Sequence, residues 1–185
     1  MKNRIFYDTE FLEDGNELYL ISIGMIRESD KEKLYLANRD MPVRKIKKNK
    51  WLMENVVPGL PKGYGEMRIF MPNRWLFHYG DSRVQPYEKI ARIVKEFIVS
   101  SGPVSLWAWY GAYDHVLLSQ MMGGVSNQNP VIPMWTNDLR QEAERLGNPD
   151  LPIQESRIHH ALEDAKHNME MAFVLDKIRE EQGKK

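Results

Sequence analysis

The sequence predicts an α/β fold in which helices pack on a mixed sheet that opens with three antiparallel strands. Three observations point there. Apolar runs over residues 3–8, 17–26 and 34–37 follow one another across short polar turns. Residues 87–98 place Tyr87, Ile90, Ala91, Val94, Phe97 and Ile98 at three- and four-residue spacings, the period of a helix with one buried stripe. The last long segment, about 159–181, carries a similar inner side in Leu162, Ala165, Met169, Ala172, Phe173 and Ile178.

In chain order, Ile5-Phe6-Tyr7 makes a short buried strand and Leu18 to Ile26 a longer one. Glu13-Asp14-Gly15-Asn16 between them is a turn signal that makes the pair a hairpin. A polar turn leads into a third strand, Leu34-Tyr35-Leu36-Ala37. Residues 43–56 read as a helix, and the prolines and glycines from Pro58 to Gly80 make 57–85 a long loop region. Pro86 opens the striped helix and Ser101-Gly102-Pro103 ends it. Val104 to Trp109 is the next strand. Gly111 permits a sharp turn, and Asp114 sits at the start of a helix through Val116, Leu117, Leu118 and Met121, stopped by Gly123-Gly124. A helix over 136–146 ends at Gly147 and precedes the last one.

A chain of 185 residues fits one domain, 1–185, with room for a substantial core. No apolar run approaches the roughly 18 residues of a membrane helix. Met1-Lys2-Asn3-Arg4-Ile5-Phe6 enters strand-like sequence with no signal-peptide core, so a cytoplasmic protein without a membrane partner is expected. The absence of cysteine excludes disulfides and thiolate metal sites. A metal would therefore sit on carboxylate, carbonyl, imidazole or water, a donor set that favours magnesium, manganese or calcium. Balanced charge, 26 basic against 26 acidic residues, gives no global field for nucleic acid. Locally, Arg44, Lys45, Lys47, Lys48 and Lys50 end at Trp51. That run either tracks a phosphate backbone with the indole on a base, or is a solvated helix face with Ile46 and Trp51 turned inward.

Candidate chemistry starts at Asp8-Thr9-Glu10, two carboxylates that strand periodicity sends to one face at the C-terminal end of the first strand. Chance alone supplies about one Asp-x-Glu in such a chain, and Asp30-Lys31-Glu32 is a second one. Context separates them. The first follows a buried strand, where two unpaired carboxylates are costly without a cation; the second lies in a charged turn. Asp114 follows another apolar strand and either caps its helix or joins the pair. Asp164, near the start of the last helix, either pairs with Lys166 or Arg157 on the surface or faces the same crevice. Four such carboxylates together could hold two divalent cations about 3.5 to 4 Å apart, an arrangement suited to phosphodiester hydrolysis.

Asp8-Thr9-Glu10, Asp114 and His159-x-Ala161-x-x-Asp164-Ala165 resemble the motifs of the DEDDh 3′-to-5′ exonucleases, which include RNase T and oligoribonuclease. The nearest likeness is to a small exoribonuclease branch. Its first motif reads Asp-Thr-Glu-Phe, as Phe11 makes it read here, and its second reads Trp-Ala-Trp-x-Gly-Ala-Tyr-Asp-His, as residues 107–115 do. The resemblance implies an RNase H-like three-layer fold with helices on both faces of the sheet. It implies two Mg²⁺ or Mn²⁺ ions on Asp8, Glu10, Asp114 and Asp164, a histidine that deprotonates the attacking water, and a homodimer. The implied substrate is the single-stranded 3′ end of RNA, with a DNA exonuclease or a non-catalytic nucleic-acid binding module of the same fold as alternatives.

Phe11 and Leu12 stand where the broader superfamily usually has Thr and Gly. The Phe11 ring either stacks on a terminal base or belongs to the core. Leu12, Trp109, Tyr113 and His160 complete the candidates for substrate contact. The doubled histidine poses a geometric question. On a regular helix His160 shares a face with Asp164, whereas His159 is swung about 140° away. The family spacing selects His159 as the base, which requires it to sit at the helix entrance or in the loop before it. An imidazole, with an ordinary pKa of about 6.5, can take a proton near neutral pH.

Overall fold

The computed structural model describes residues 2–62, 75–127 and 130–183. The antiparallel start is present: β1 (Asn3–Glu13) pairs with β2 (Leu18–Arg27), and β2 with β3 (Lys33–Asn38). β1 runs beyond the short strand expected from its apolar run, because Phe11 and Leu12 go on pairing with Leu20 and Tyr19 past a register shift. Asp8-Thr9-Glu10 thus lies inside the strand and not at its end.

Residues 43–56 form two short helices, α1 (Val43–Ile46) and α2 (Lys50–Asn55), followed by a single 3-10 turn, Val57–Gly59. Asn49 makes the break: its extended backbone leaves the helix, and its side chain accepts the Leu52 N–H to start the next one. The expected loop over 57–85 is described only outside residues 63–74, and it ends in a two-residue strand, β4 (Val84–Gln85), parallel to β3. The striped helix is α3 (Tyr87–Val99), opened by Pro86 as expected.

β5 (Val104–Ala108) lies parallel to the first residues of β1 and feeds α4 (Ala112–Met121). The helix expected over 136–146 divides into β6 (Thr136–Asp138), parallel to β5, and α5 (Leu139–Arg145). Asp138 ends the strand by capping the helix, its carboxylate accepting the Arg140 N–H. α6 (Ala161–Gln182) is the last helix and begins two residues later than expected.

The described strands make a six-stranded mixed sheet in the order β4-β3-β2-β1-β5-β6. Alternation along β1 sorts its side chains onto two faces. Ile5 and Tyr7 enter a core with α3 and α4, whereas Phe6 enters one with α5 and α6. A third cluster, built on Leu12, Ile21 and Ala37, takes Ile46, Leu52 and Val56 from α1, α2 and the turn after them. Helices therefore cover both faces of the sheet, the α/β layering expected for an RNase H-like fold. No helix among the described residues is long and apolar enough to cross a membrane.

The contact that sets the position of α6 is with Gly24 of β2. A β-carbon there would lie 2.2 Å from the Leu162 nitrogen and 2.3 Å from the Ala161 carbonyl carbon, both main-chain atoms with no freedom to swing aside. Only glycine lets the first turn of α6 rest directly on the sheet. Gly24→Ala is accordingly expected to lower stability by roughly 1 to 3 kcal/mol through overpacking, read as the midpoint of urea unfolding. An unchanged midpoint would show that the turn does not press on β2.

Candidate active site

The sheet and the seated helix bring the carboxylates together. Asp8 stands opposite Gly24 in the β1–β2 ladder and Glu10 opposite Ser22. With α6 against Gly24, Asp164 in its first turn arrives over the same face. Asp114 approaches from the first turn of α4. Its Oδ1 accepts the Thr9 N–H at 2.8 Å and the Thr9 hydroxyl at 2.6 Å, so the middle residue of Asp8-Thr9-Glu10 ties Asp114 to the pair. Donor atoms of Glu10, His159 and Asp164 all lie within 4.8 Å of one another. The surface pairing open to Asp164 is taken up by its neighbour, since Arg157 and Lys166 both bind Glu163.

Crowding like charges away from water raises all four carboxyls above their ordinary range, with burial the leading cause at each. Glu10, 6% exposed, is pushed up to about 9, with Asp164 and Asp114 adding their charge. Asp8 lies well above the normal aspartate value because burial is joined by Asp114, Glu10 and Asp164. Asp114 rises only to about 6, since the two Thr9 donors work against burial. Asp164 also rises, held back by the Gln154 amide and by His159. Donor atoms of the Glu10 and Asp164 carboxyls lie within 4.8 Å of each other, close enough for the charge of Asp164 to raise Glu10. A divalent cation would remove the reason for these shifts. Oxygen donors with one imidazole beside them suit magnesium or manganese.

The two histidines separate cleanly. His159 precedes the helix with φ 64°, and this left-handed backbone frees it from helical spacing and turns it toward Glu10 and Asp164. Arg157 has φ 55°, so two non-glycine residues of one loop sit in a region costing on the order of 1 to 3 kcal/mol each. His160 is the helix N-cap residue, and its ring stacks on Tyr35 with centroids 4.4 Å apart. Burial lowers its pKa. The Trp51 indole meets the His159 ring edge-on at 4.7 Å. Of the two residues that could have turned inward from the basic run, Ile46 does and Trp51 does not, being 51% exposed.

Phe11 stacks on Tyr113 at 5.6 Å, and Tyr113 is 48% exposed. The Phe11 ring is also half-buried against the first core, the packing role open to it. Leu12 is 5% exposed and its side chain is taken up by the third cluster, with Ile21 and Ala37, rather than offered to a strand. Trp109 is half-buried beside Phe6 in the core that takes α5 and α6, with Tyr110 against its ring.

The family model of the 3′-5′ exoribonuclease Rv2179c-like domain matches residues 75–175, a span that takes in Asp114, His159 and Asp164. The chain belongs to the Rv2179c-like family. It is 34% identical over 168 residues to the 3′-5′ exoribonuclease Rv2179c of Mycobacterium tuberculosis (strain ATCC 25618 / H37Rv), which covers 90% of this chain and 89% of that protein. The same identity and coverage hold for the 3′-5′ exoribonuclease MT2234.1 of strain CDC 1551 / Oshkosh.

Thr9, Gly24 and Gln154 are the site residues that motif reading passes over. A glycine inside an apolar strand is a signal of close backbone approach and could have exposed Gly24. The others depend on contacts across 105 and 10 residues of chain.

The Glu10 shift has a consequence for stability. Its pKa in the fold, about 9, lies above the ordinary 4.5, so the folded chain keeps a proton that the unfolded chain releases. The contribution is full below about pH 4.5 and is lost as pH rises toward 9. In chelator, urea unfolding should show wild type weakening relative to Glu10→Gln across that window. A constant difference between the two proteins would contradict the shift.

Proposed function

We propose that this protein is a divalent-cation-dependent exonuclease of the DEDDh type that releases nucleotides from the single-stranded 3′ end of RNA. The observation that carries the reading is the convergence of Glu10, His159 and Asp164 donor atoms within 4.8 Å, on the face of β1 that also bears Asp8. Family membership supports it, and the names of both relatives favour RNA over DNA.

Asp8, Glu10, Asp114 and Asp164 would hold two magnesium or manganese ions. When bound, such ions neutralise phosphate charge and sharpen the acidity of the attacking water. The chain's own residues do the rest. His159, on its left-handed turn, stands beside the ligand set and accepts the proton that the water gives up. Thr9 keeps Asp114 ionised by donating to it twice. The Phe11–Tyr113 stack offers an aromatic surface to a terminal base. His160, spent on Tyr35, steadies the helix entrance and handles no proton. The homodimer implied by the resemblance belongs to the same reading.

The assignment is tested with end-labelled RNA and DNA of one sequence in manganese. Asp8→Ala and Asp164→Ala should abolish nucleotide release from RNA. His159→Ala should lower turnover by roughly 100-fold or more, while His160→Ala keeps most of it. Full activity in Asp8→Ala, or the reverse order of the two histidines, would overturn the reading.

A further inference from the structure

The loop that carries His159 is built from backbone that its residue types resist, and one side chain fastens it. The Gln154 amide nitrogen donates to the Ser156 carbonyl at 3.3 Å, to the Arg157 carbonyl at 3.2 Å and to Asp164 Oδ1 at 2.7 Å. The two carbonyls belong to the turn in which Arg157 and His159 take positive φ. The carboxylate belongs to the first turn of α6. One amide therefore spans the turn before the proposed base and a proposed metal ligand after it. Arg157 reaches Glu163, and Trp51 meets the His159 ring from its edge.

We propose that Gln154 is a positioning residue for the reaction: it locks the His159 turn to the Asp164 carboxylate, so that base and ligand set keep one mutual geometry. The inference rests on the exonuclease reading for its kinetic consequence, but the clamp itself does not. Gln154 is half-buried beside a polar hollow of about 270 Å³ lined by Ile153, Ser156, Glu163, Lys166 and His167. Removing its donors leaves room for the turn to shift, and a displacement of about 1 Å at a reacting group can cost a hundredfold in rate.

The test uses two variants of the full chain, Gln154→Ala and Gln154→Met; the second keeps bulk without charge or donors. Both should lower kcat between about tenfold and a hundredfold with KM for RNA held within about twofold, the pattern of a misplaced reacting group. Both should also raise amide hydrogen exchange over residues 155–160, measured without RNA, while exchange in β1 and β2 is unchanged. Wild-type kcat in Gln154→Met would overturn the proposal, because packing alone would then account for the residue. Unchanged exchange over 155–160 would overturn it as well, whatever the activity. If wild type releases no nucleotide but exchange still rises in both variants, the clamp stands and the exonuclease reading fails.

Discussion

The first turn of α6 reaches the carboxylates because β2 carries no side chain at Gly24. The relations of α6 to the rest of the site follow from that seat. Asp8 faces Gly24 across the ladder, so the helix that rests on the glycine arrives beside Asp8 as well. Asp164, one turn in, then meets Glu10, and the residues just before the helix must curl through left-handed backbone to enter it. His159 owes its place to that curl. A bulkier β2 would leave the same motif residues in the sequence and take them apart in space.

The site is held together against its own charge. Four carboxyls share a crevice in which burial alone disfavours ionisation, and their proximity compounds the effect. Hydrophobic contacts elsewhere outweigh this repulsion: α6 is anchored along its length by Ala165, Met169, Ala172 and Leu175 against Phe6 and Ile26. The arrangement is thus imposed by packing against the mutual repulsion of its carboxyls. Local donors refine it. Thr9 holds Asp114, and Gln154 holds Asp164, each with a neutral group that does not compete with a metal for the carboxylate.

Much of the layout was legible in the sequence because it rests on periodic burial. The hairpin, the third strand, α3 and α6 all follow apolar runs or stripes, and each stands close to where its pattern put it. The short strands β4 and β6 were not legible: two or three residues show no periodicity, and their pairing is decided by neighbours far along the chain. Asn49 and Asp138 were visible as residues but act as caps that divide segments otherwise helical in composition. At the site, motif spacing singled out four carboxylates and His159, and the donor atoms of Glu10, His159 and Asp164 do converge. Ideal helix geometry set His160 on the face of Asp164, but the helix begins after both histidines and it is His159 that lies beside Glu10 and Asp164. Leu12 carried a motif position, yet hydrophobic packing claimed its side chain.

The most direct measurement compares a 5′-labelled linear RNA with the same RNA closed into a circle, each incubated with the protein and manganese. An exonuclease built on this site shortens the linear strand stepwise from its 3′ end and leaves the circle whole. Cuts in the circle, or a linear strand that is bound but stays intact, would contradict it.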